Sequence, residues 1–155
     1  MKIIIAGAGK SGFAVAQTLS QEGHDITVID KSGDIINQVS NGLDVICIEG
    51  NATNPESLIG AGAREADLIV ASTRSDEVNM ICGIAARKLG TKHVIARIRD
   101  PEYISQTGFL RETLGLSMIV NPELECAREI SRILRFPSAA RVDVFSKGSV
   151  EIVEH

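Results

Sequence analysis

Short apolar runs rich in β-branched residues alternate with longer segments of helical periodicity along almost the whole 155-residue chain. This alternation predicts repeated strand–helix units, and therefore a parallel sheet with helices on both faces. The runs are near-continuously apolar, as strands buried on both faces require. We expect a Rossmann-like, doubly wound α/β fold with six parallel strands at residues 2–6, 25–30, 44–48, 67–72, 93–98 and 117–120.

Helices should fill the intervals, at residues 11–21, 34–40, 55–60, 76–89, 101–114 and 122–134. Three prolines fit the first position of a helix, where the missing N–H costs no hydrogen bond: Pro55, Pro101 and Pro122. The residue before each proline is suited to cap the helix: Asn54, Asp100 and Asn121. Glycines that fit helix ends are Gly23, Gly90 and Gly115.

The domain organisation changes near residue 136. We expect residues 1–136 to form one Rossmann nucleotide-binding domain that ends in a C-terminal crossover helix. Residues 137–155 read as a linker and a short β-hairpin, with Val142 and Val144 alternating with polar residues before a turn at Lys147 and Gly148. Because a two-stranded ribbon is marginally stable alone, we expect it to pair outside this core or to lead to a separate second lobe.

Composition excludes several classes of partner. The net charge of −4 and an aromatic content of 3% without Trp argue against nucleic-acid binding. The apolar runs are too short to span a bilayer, so we expect no direct membrane insertion. The widely separated cysteines, Cys47, Cys82 and Cys126, lack the spacing of zinc or redox sites and suit a reducing cytoplasm.

A glycine-rich segment directly follows the first predicted strand and opens the first predicted helix: Gly7, Ala8, Gly9, Lys10, Ser11 and Gly12. In this position, Gly7 permits a tight turn, Gly9 lets a pyrophosphate approach the backbone, and Gly12 allows close helix–strand packing. The helix N-terminus adds N–H donors and a positive dipole. Lys10 is either a phosphate contact or a solvated lysine. The segment predicts phosphate binding.

Asp30 ends the second predicted strand, where an acid can accept hydrogen bonds from the hydroxyls of an adenosine ribose. The alternative is a cap for the following helix. A carboxylate here disfavours the 2′-phosphate of NADP, although the neighbouring Lys31 weakens that argument. NAD, ADP and ATP all keep the free hydroxyl, so Asp30 does not choose among them.

Residues that follow other strands should also line the crevice at the carboxyl ends of the sheet. Asn51, Ala52 and Thr53 are suited to lie against an adenine ring, or else form an ordinary loop and helix cap. Thr73 and Arg74 would face the phosphates or the second ribose, although the usual polarity of loops explains them almost as well.

Arg97 and Arg99 are two positions apart at the end of a predicted strand, so their side chains should leave on one face with Ile98 on the other. Two guanidinium groups at the end of a buried strand match a β- or γ-phosphate, or a carboxylate of a partner. The alternative is a surface ion pair.

An oxidoreductase needs a proton-transfer group beside the nucleotide, and the sequence offers no recognisable candidate. Tyr103 is followed four positions on by Thr107, not the Lys of short-chain dehydrogenases. His24 and His93 precede or begin strands, at the end of the sheet opposite the crevice. We therefore expect no catalytic residues, and a sensor in which the nucleotide shifts a conformational equilibrium.

The chain resembles the TrkA N-terminal, or RCK (KTN), nucleotide-binding domain of potassium-uptake regulators over nearly its whole length. The segments that carry this resemblance are residues 1–5, 7–12, 30, 50–53, 66–73, 76–80, 96–97 and 122–125. Two features depart from the family: Asn51 stands where Asp is frequent, and the usual C-terminal lobe does not follow the predicted hairpin.

The resemblance implies a regulatory domain that binds NAD(H) or ATP/ADP, with Arg99 near the phosphates of an ATP-like ligand and Glu123 near a cation at a dimer interface. It further implies homodimers, or a ring of them, attached to a membrane-embedded potassium channel or transporter subunit. Such a protein is cytoplasmic and peripheral at the inner face of the plasma membrane through its partner.

Two other functions use the same fold and glycine segment. One is the cofactor-binding half of an NAD-dependent oxidoreductase, and the other is an S-adenosylmethionine-binding domain. Arg97 and Arg99 favour phosphates over a sulfonium.

Overall fold

The computed structural model describes residues 1–119 and 122–135, except for the side chains of residues 117–119 and 123. The strands are β1 (Lys2–Ala6), β2 (Asp25–Asp30), β3 (Ile46–Glu49), β4 (Leu68–Ala71), β5 (His93–Arg97) and β6 (Ser117–Ile119). The helices are α1 (Lys10–Gln21), α2 (Gly33–Gly42), α3 (Pro55–Gly60), α4 (Asp76–Leu89), α5 (Pro101–Ile104), α6 (Thr107–Leu114) and α7 (Pro122–Arg135). The hairpin predicted in 137–155 and the cap predicted at Asn121 lie outside the described residues.

All described strands pair in parallel in the order β3-β2-β1-β4-β5-β6. The order reverses direction between β1 and β4, which is the topological switch of a Rossmann-like sheet. The predicted α/β fold with a parallel sheet is confirmed. Strand bounds agree with the sequence predictions to within two residues.

The two faces of the sheet form two separate cores, because side chains alternate along each strand. Ile3 and Ile5 of β1 pack on one face with apolar residues of α1, α2 and α7, whereas Ile4 and Ala6 pack on the other with those of α3, α4 and α6. Since α1 and α4 cover opposite faces, the chain diverges after β1 and β4. In sheets with this topology, ligands bind in a crevice between the loops that follow these two strands.

Helix ends follow the local capping signals. Asn54 and Asp100 each accept a hydrogen bond from the N–H two residues on, as predicted. Gly23, Gly90 and Gly115 all have positive φ. One prediction was wrong: the helix expected over 101–114 is divided into α5 and α6.

The division falls at Ser105 and Gln106. The Ser105 hydroxyl donates to the carbonyl of Glu102, and the Thr107 hydroxyl donates to that of Ile104. These bonds occupy carbonyls that a continuous helix would pair with backbone N–H groups. Local side-chain competition therefore accompanies the break.

Helix α7 packs against α1 and β5, on the face of the sheet that α1 covers. Its buried residues Cys126 and Ile130 belong to that core. At the amino end of β5, the carboxylate of Glu129 lies 3.4 Å from Nδ1 of His93 and 2.6 Å from a guanidinium nitrogen of Arg132. The contacts of α7 are thus partly apolar and partly ionic.

Candidate nucleotide-binding site

The glycine segment after β1 packs so tightly against its surroundings that Gly7 and Gly12 have no room for a side chain. Gly7 has φ of +90°, and a Cβ there would lie 2.8 Å from both the backbone nitrogen and Cγ2 of Thr73. A Cβ on Gly12 would overlap the carbonyl oxygen of Gly7. By contrast, a Cβ on Gly9 would meet no atom of the described chain within 4 Å, apart from its own neighbours. The backbone at Gly9 is therefore open to an external group.

The N-terminus of α1 starts at this open position. Gly9 is the N-cap, and none of the described side chains caps the helix or places an acid in its first turn. Helices α2, α3, α4 and α5 are each capped by a side chain. The first N–H groups of α1 and their positive dipole are therefore available to an anion from outside the chain. Lys10, in the first turn, is exposed, and Ser11 is half-buried.

Asp30 contacts the glycine segment directly. Its Oδ2 accepts a hydrogen bond from the backbone N–H of Ala8 at 2.9 Å, and its Oδ1 accepts one from Ser32 at 2.8 Å. The cap of α2 is Ser32, whose hydroxyl accepts from the Ile35 N–H, so Asp30 is not the helix cap. Lys31 is exposed beside it. The Asp30 carboxylate thus fixes the glycine segment relative to the end of β2.

The loop after β3 is held by its own side chains. Oδ1 of Asn51 accepts hydrogen bonds from the backbone N–H of Thr53 at 2.9 Å and from its hydroxyl at 2.7 Å. The Ala52 methyl is only 7% exposed and packs in the α3–α4 core. The polar side chains that this loop offers beside Ala52 are therefore the exposed Asn51 and the half-buried Thr53.

The loop after β4 is tied to the glycine segment. Ser72 is buried, and its hydroxyl donates to the carbonyl of Gly7 at 3.0 Å. Thr73 follows and lies close to Gly7, since a Cβ on Gly7 would be only 2.8 Å from the Thr73 nitrogen and Cγ2. Arg74 is exposed. The structure brings Thr73 to the glycine segment, whereas the Arg74 side chain extends into solvent.

Arg97, the last residue of β5, and Arg99 lie on either side of the buried Ile98 along the chain. Ile98 is fully buried, Arg97 is half-buried and Arg99 is exposed. Burial, followed by the positive charge of Arg99, lowers the pKa of Arg97, while the Asp76 carboxylate opposes this. The buried Nε of Arg97 has no hydrogen-bond partner within the part of the chain that the structure describes. A buried donor of this kind favours an acceptor supplied from elsewhere.

Two residues of α4 belong to this region, although sequence reasoning gave them no role in binding. Asn79 is fully buried and hydrogen-bonded to both Thr73 and Arg97. The Asp76 carboxylate accepts from the backbone N–H groups of Arg99 and Asp100. A signal existed in the sequence: Asn79 is the polar member of a helix face that continues with Cys82 and Ala86.

No group of three or more His, Cys, Asp or Glu in residues 1–119 and 122–135 could hold a metal ion, as judged from the side chains described. Glu123, for which a cation contact is expected from the family resemblance, begins the first turn of α7 after Pro122, but its side chain lies outside the described set. Of the helices that the structure describes, none is long and apolar enough to cross a membrane.

The parallel sheet, its switch between β1 and β4 and the glycine segment at the start of α1 define a Rossmann-like domain. The chain belongs to the TrkA-N domain family, whose family model matches residues 3–122.

Similar proteins include the Trk system potassium uptake protein TrkA homolog of Archaeoglobus fulgidus, which is 41% identical over 154 residues, covering 99% of this chain and 35% of the relative. The Trk system potassium uptake protein TrkA of Vibrio alginolyticus is 35% identical over 156 residues, covering 99% of this chain and 34% of the relative. The chain thus spans about a third of the length of these relatives.

Solved structures share the fold at lower sequence identity. The GsuK channel bound to NAD superposes with a TM-score of 0.62 and 22% identity, over 73% of this chain and 20% of the channel chain. The C-terminal domain of Kef from Shewanella denitrificans, in an AMP-bound form, gives a TM-score of 0.61 and 22% identity, over 96% of this chain and 93% of the other. These likenesses support the fold.

Proposed function

We propose that this chain is a nucleotide-sensing regulatory domain of a potassium uptake system and binds NAD(H) or ATP/ADP in the crevice after β1, β2 and β4. The observation that carries the proposal is the open N-terminus of α1 at Gly9, with Asp30 hydrogen-bonded to the adjacent Ala8. A phosphate above Gly9 would accept hydrogen bonds from the first N–H groups of α1, where no described side chain competes.

On the adenosine side, Asp30 would accept hydrogen bonds from the ribose hydroxyls. Its two oxygens each hold one backbone N–H, and a carboxylate oxygen can accept more than one donor. Asn51 and Thr53 would contact the edge of the adenine, supported from below by the buried Ala52. Lys31, exposed beside Asp30, would remain near the ribose.

On the phosphate side, we assign contacts to the backbone of the glycine segment and to six polar side chains: Lys10, Ser11, Thr73, Arg74, Arg97 and Arg99. The Nε of Arg97, which has no partner among the described residues, favours a ligand with several phosphate charges, and so does the neighbouring positive charge of Arg99. This arrangement suits the pyrophosphate of NAD as well as the terminal phosphates of ATP or ADP. Similar structures carry NAD in one case and AMP in another.

The partner would be a membrane-embedded potassium channel or transporter subunit, since the similar full-length proteins are named as potassium uptake proteins. We infer a homodimer, or a ring of dimers, in the cytoplasm at the inner face of the plasma membrane. Glu123 would contribute to a cation site at the dimer interface. In this role the nucleotide is a signal and undergoes no reaction.

A thermal-shift panel tests the binding proposal. Because a ligand that binds only the folded state stabilises it by RT ln(1 + [L]/Kd), ATP, ADP or NADH at a hundredfold excess over Kd should add about 2.7 kcal/mol and raise the melting temperature. Guanine nucleotides serve as the matched control. Equal melting temperatures with and without every adenine nucleotide would reject the proposal.

A further inference from the structure

We infer that Asp76 and Asn79 are positioning residues that clamp the arginine-bearing end of β5 to the loop after β4, and thereby set the preference of the site for ligands with several phosphates. This inference rests on the proposed nucleotide binding. It concerns two residues that hold the binding groups in place and do not themselves contact the ligand.

The amide of Asn79 joins the ends of β4 and β5. Its Oδ1 accepts from the backbone N–H of Thr73 at 2.8 Å and from the Thr73 hydroxyl at 2.7 Å. Its Nδ2 donates to the carbonyls of Thr73 at 3.1 Å and Arg97 at 2.9 Å. These four bonds use the two lone pairs and two N–H groups of the amide. Because the side chain is fully buried, breaking either link would leave an unpaired polar group without water.

Asp76 holds the backbone that follows Arg97, at Arg99 and Asp100. Both of its carboxylate oxygens lie 3.1 Å from the backbone nitrogen of Arg99, and Oδ2 lies 2.8 Å from that of Asp100. Asp76 and Asn79 are three positions apart in α4 and therefore lie on the same side of the helix. Together they hold the backbone on either side of the buried Ile98.

The clamp extends to the glycine segment. Thr73, which Asn79 holds, lies against Gly7, and Ser72 donates to the Gly7 carbonyl. A continuous series of contacts thus links the backbone of Arg97 to the start of the phosphate-binding segment. Two guanidinium groups kept close together repel each other, and an anion with several charges relieves that repulsion. The clamp would therefore matter most for ATP and least for AMP.

The experiment compares Asp76→Ala with Asp76→Asn in the 155-residue chain, with dissociation constants for ATP, ADP and AMP from titration calorimetry. The Asn variant keeps an oxygen that accepts from Arg99 and Asp100 but removes the charge, whereas the Ala variant removes both. We expect Asp76→Ala to bind ATP about tenfold more weakly than Asp76→Asn, with a difference of less than about twofold for AMP. If charge alone mattered, both variants would bind ATP equally well, which would overturn the inference.

A double-mutant cycle separates positioning from general stability. In an Arg97→Ala, Arg99→Ala background, Asp76→Ala should have little further effect on ATP binding, because the groups that it positions are gone. Additive losses would contradict the clamp. Asn79→Ala should show the same dependence on phosphate number as Asp76→Ala, provided its melting temperature confirms folding. An unaltered chain that binds no adenine nucleotide rejects the proposed function as well, whereas binding that is equally weakened for all three ligands rejects only the clamp.

Discussion

The carboxylate of Asp30 accepts a hydrogen bond from the backbone N–H of Ala8, with 2.9 Å between Oδ2 and the nitrogen. The acid at the end of β2 is thereby coupled to the glycine segment after β1, although the two residues are 22 positions apart. One side chain thus contributes both to the shape of the glycine segment and to the proposed contact with the ribose. Its removal should affect binding and stability together.

We expect Asp30→Ala to weaken AMP, ADP, ATP and NADH by similar factors, because all four contain the adenosine ribose. Hydrogen bonds to a charged group contribute about 1.5–3 kcal/mol, so the dissociation constants should rise roughly tenfold to a hundredfold. Calorimetric titration measures this directly. Asp30→Asn is the control that keeps an acceptor for Ala8, and a loss confined to one of the four ligands would contradict the assignment.

Arg99→Ala should instead distinguish ligands by their phosphates. Its exposed guanidinium is assigned to the terminal phosphates, so ATP should bind about tenfold more weakly and AMP should change by less than about twofold. Raising the salt concentration should reduce the difference between the unaltered chain and the variant, since exposed charges are screened. Arg111→Ala, an exposed arginine on α6, is the control. Equal losses for AMP and ATP would refute the assignment.

The same substitution should destabilise the chain at Gly12 and leave its stability nearly unchanged at Gly9. Gly12→Ala places a methyl group onto the Gly7 carbonyl and should lower the free energy of unfolding by about 1–3 kcal/mol or more. Gly9→Ala meets open space and has ordinary backbone angles, so its stability should stay within about 1 kcal/mol of the original. The Gly9 methyl should nevertheless hinder a phosphate. Chemical denaturation and nucleotide titration of both variants test this, and unchanged nucleotide affinity in Gly9→Ala would argue against phosphate binding at this position.

The cysteines provide a test of helix docking. Burial raises the pKa of Cys82 and of Cys126 to about 12, from an ordinary value of 9.0. Both thiols should therefore react slowly with a disulfide reagent at pH 8, because the thiolate is the nucleophile. Cys47 is half-buried and should react faster. Because Cys126 lies on α7 and Cys82 on α4, labelling of Cys126 at the rate of Cys47 would show that α7 is not packed as described.

The same pKa shifts determine the direction of a pH effect. A thiol whose pKa is higher in the folded chain keeps its proton there while the unfolded chain releases it, so the contribution to stability is full below pH 9 and falls as the pH rises toward 12. The free energy of unfolding should therefore decline above pH 9. Replacing Cys82 with Ala should reduce that decline, and an identical pH profile in the variant would contradict the assignment.

Much of the fold could be predicted from the sequence because it depends on short-range patterns. Apolar runs specify the strands, and the signals at Pro55 and Pro101 specify where helices begin. The division between α5 and α6 was missed, because the competing bonds of Ser105 and Thr107 are made by hydroxyls whose preferred partners depend on the geometry of the turn.

The candidate site was predictable where one segment carries the chemistry and less so where distant segments meet. The glycine segment and Asp30 follow from position alone. Asn79 contacts Thr73, 6 positions away, across the start of α4, whereas its contact with Arg97, 18 positions away, depends on the pairing of β4 with β5. The burial of Ala52 likewise depends on the packing of α3 and α4, which its own loop does not reveal.

The amide of Asn79 also has a mechanical consequence. Since this one side chain is bonded to the backbone at the ends of both β4 and β5, a displacement of α4 that keeps these bonds would move the two strand ends with it. Such a displacement would shift Thr73 relative to Gly7, and with it one edge of the proposed nucleotide site.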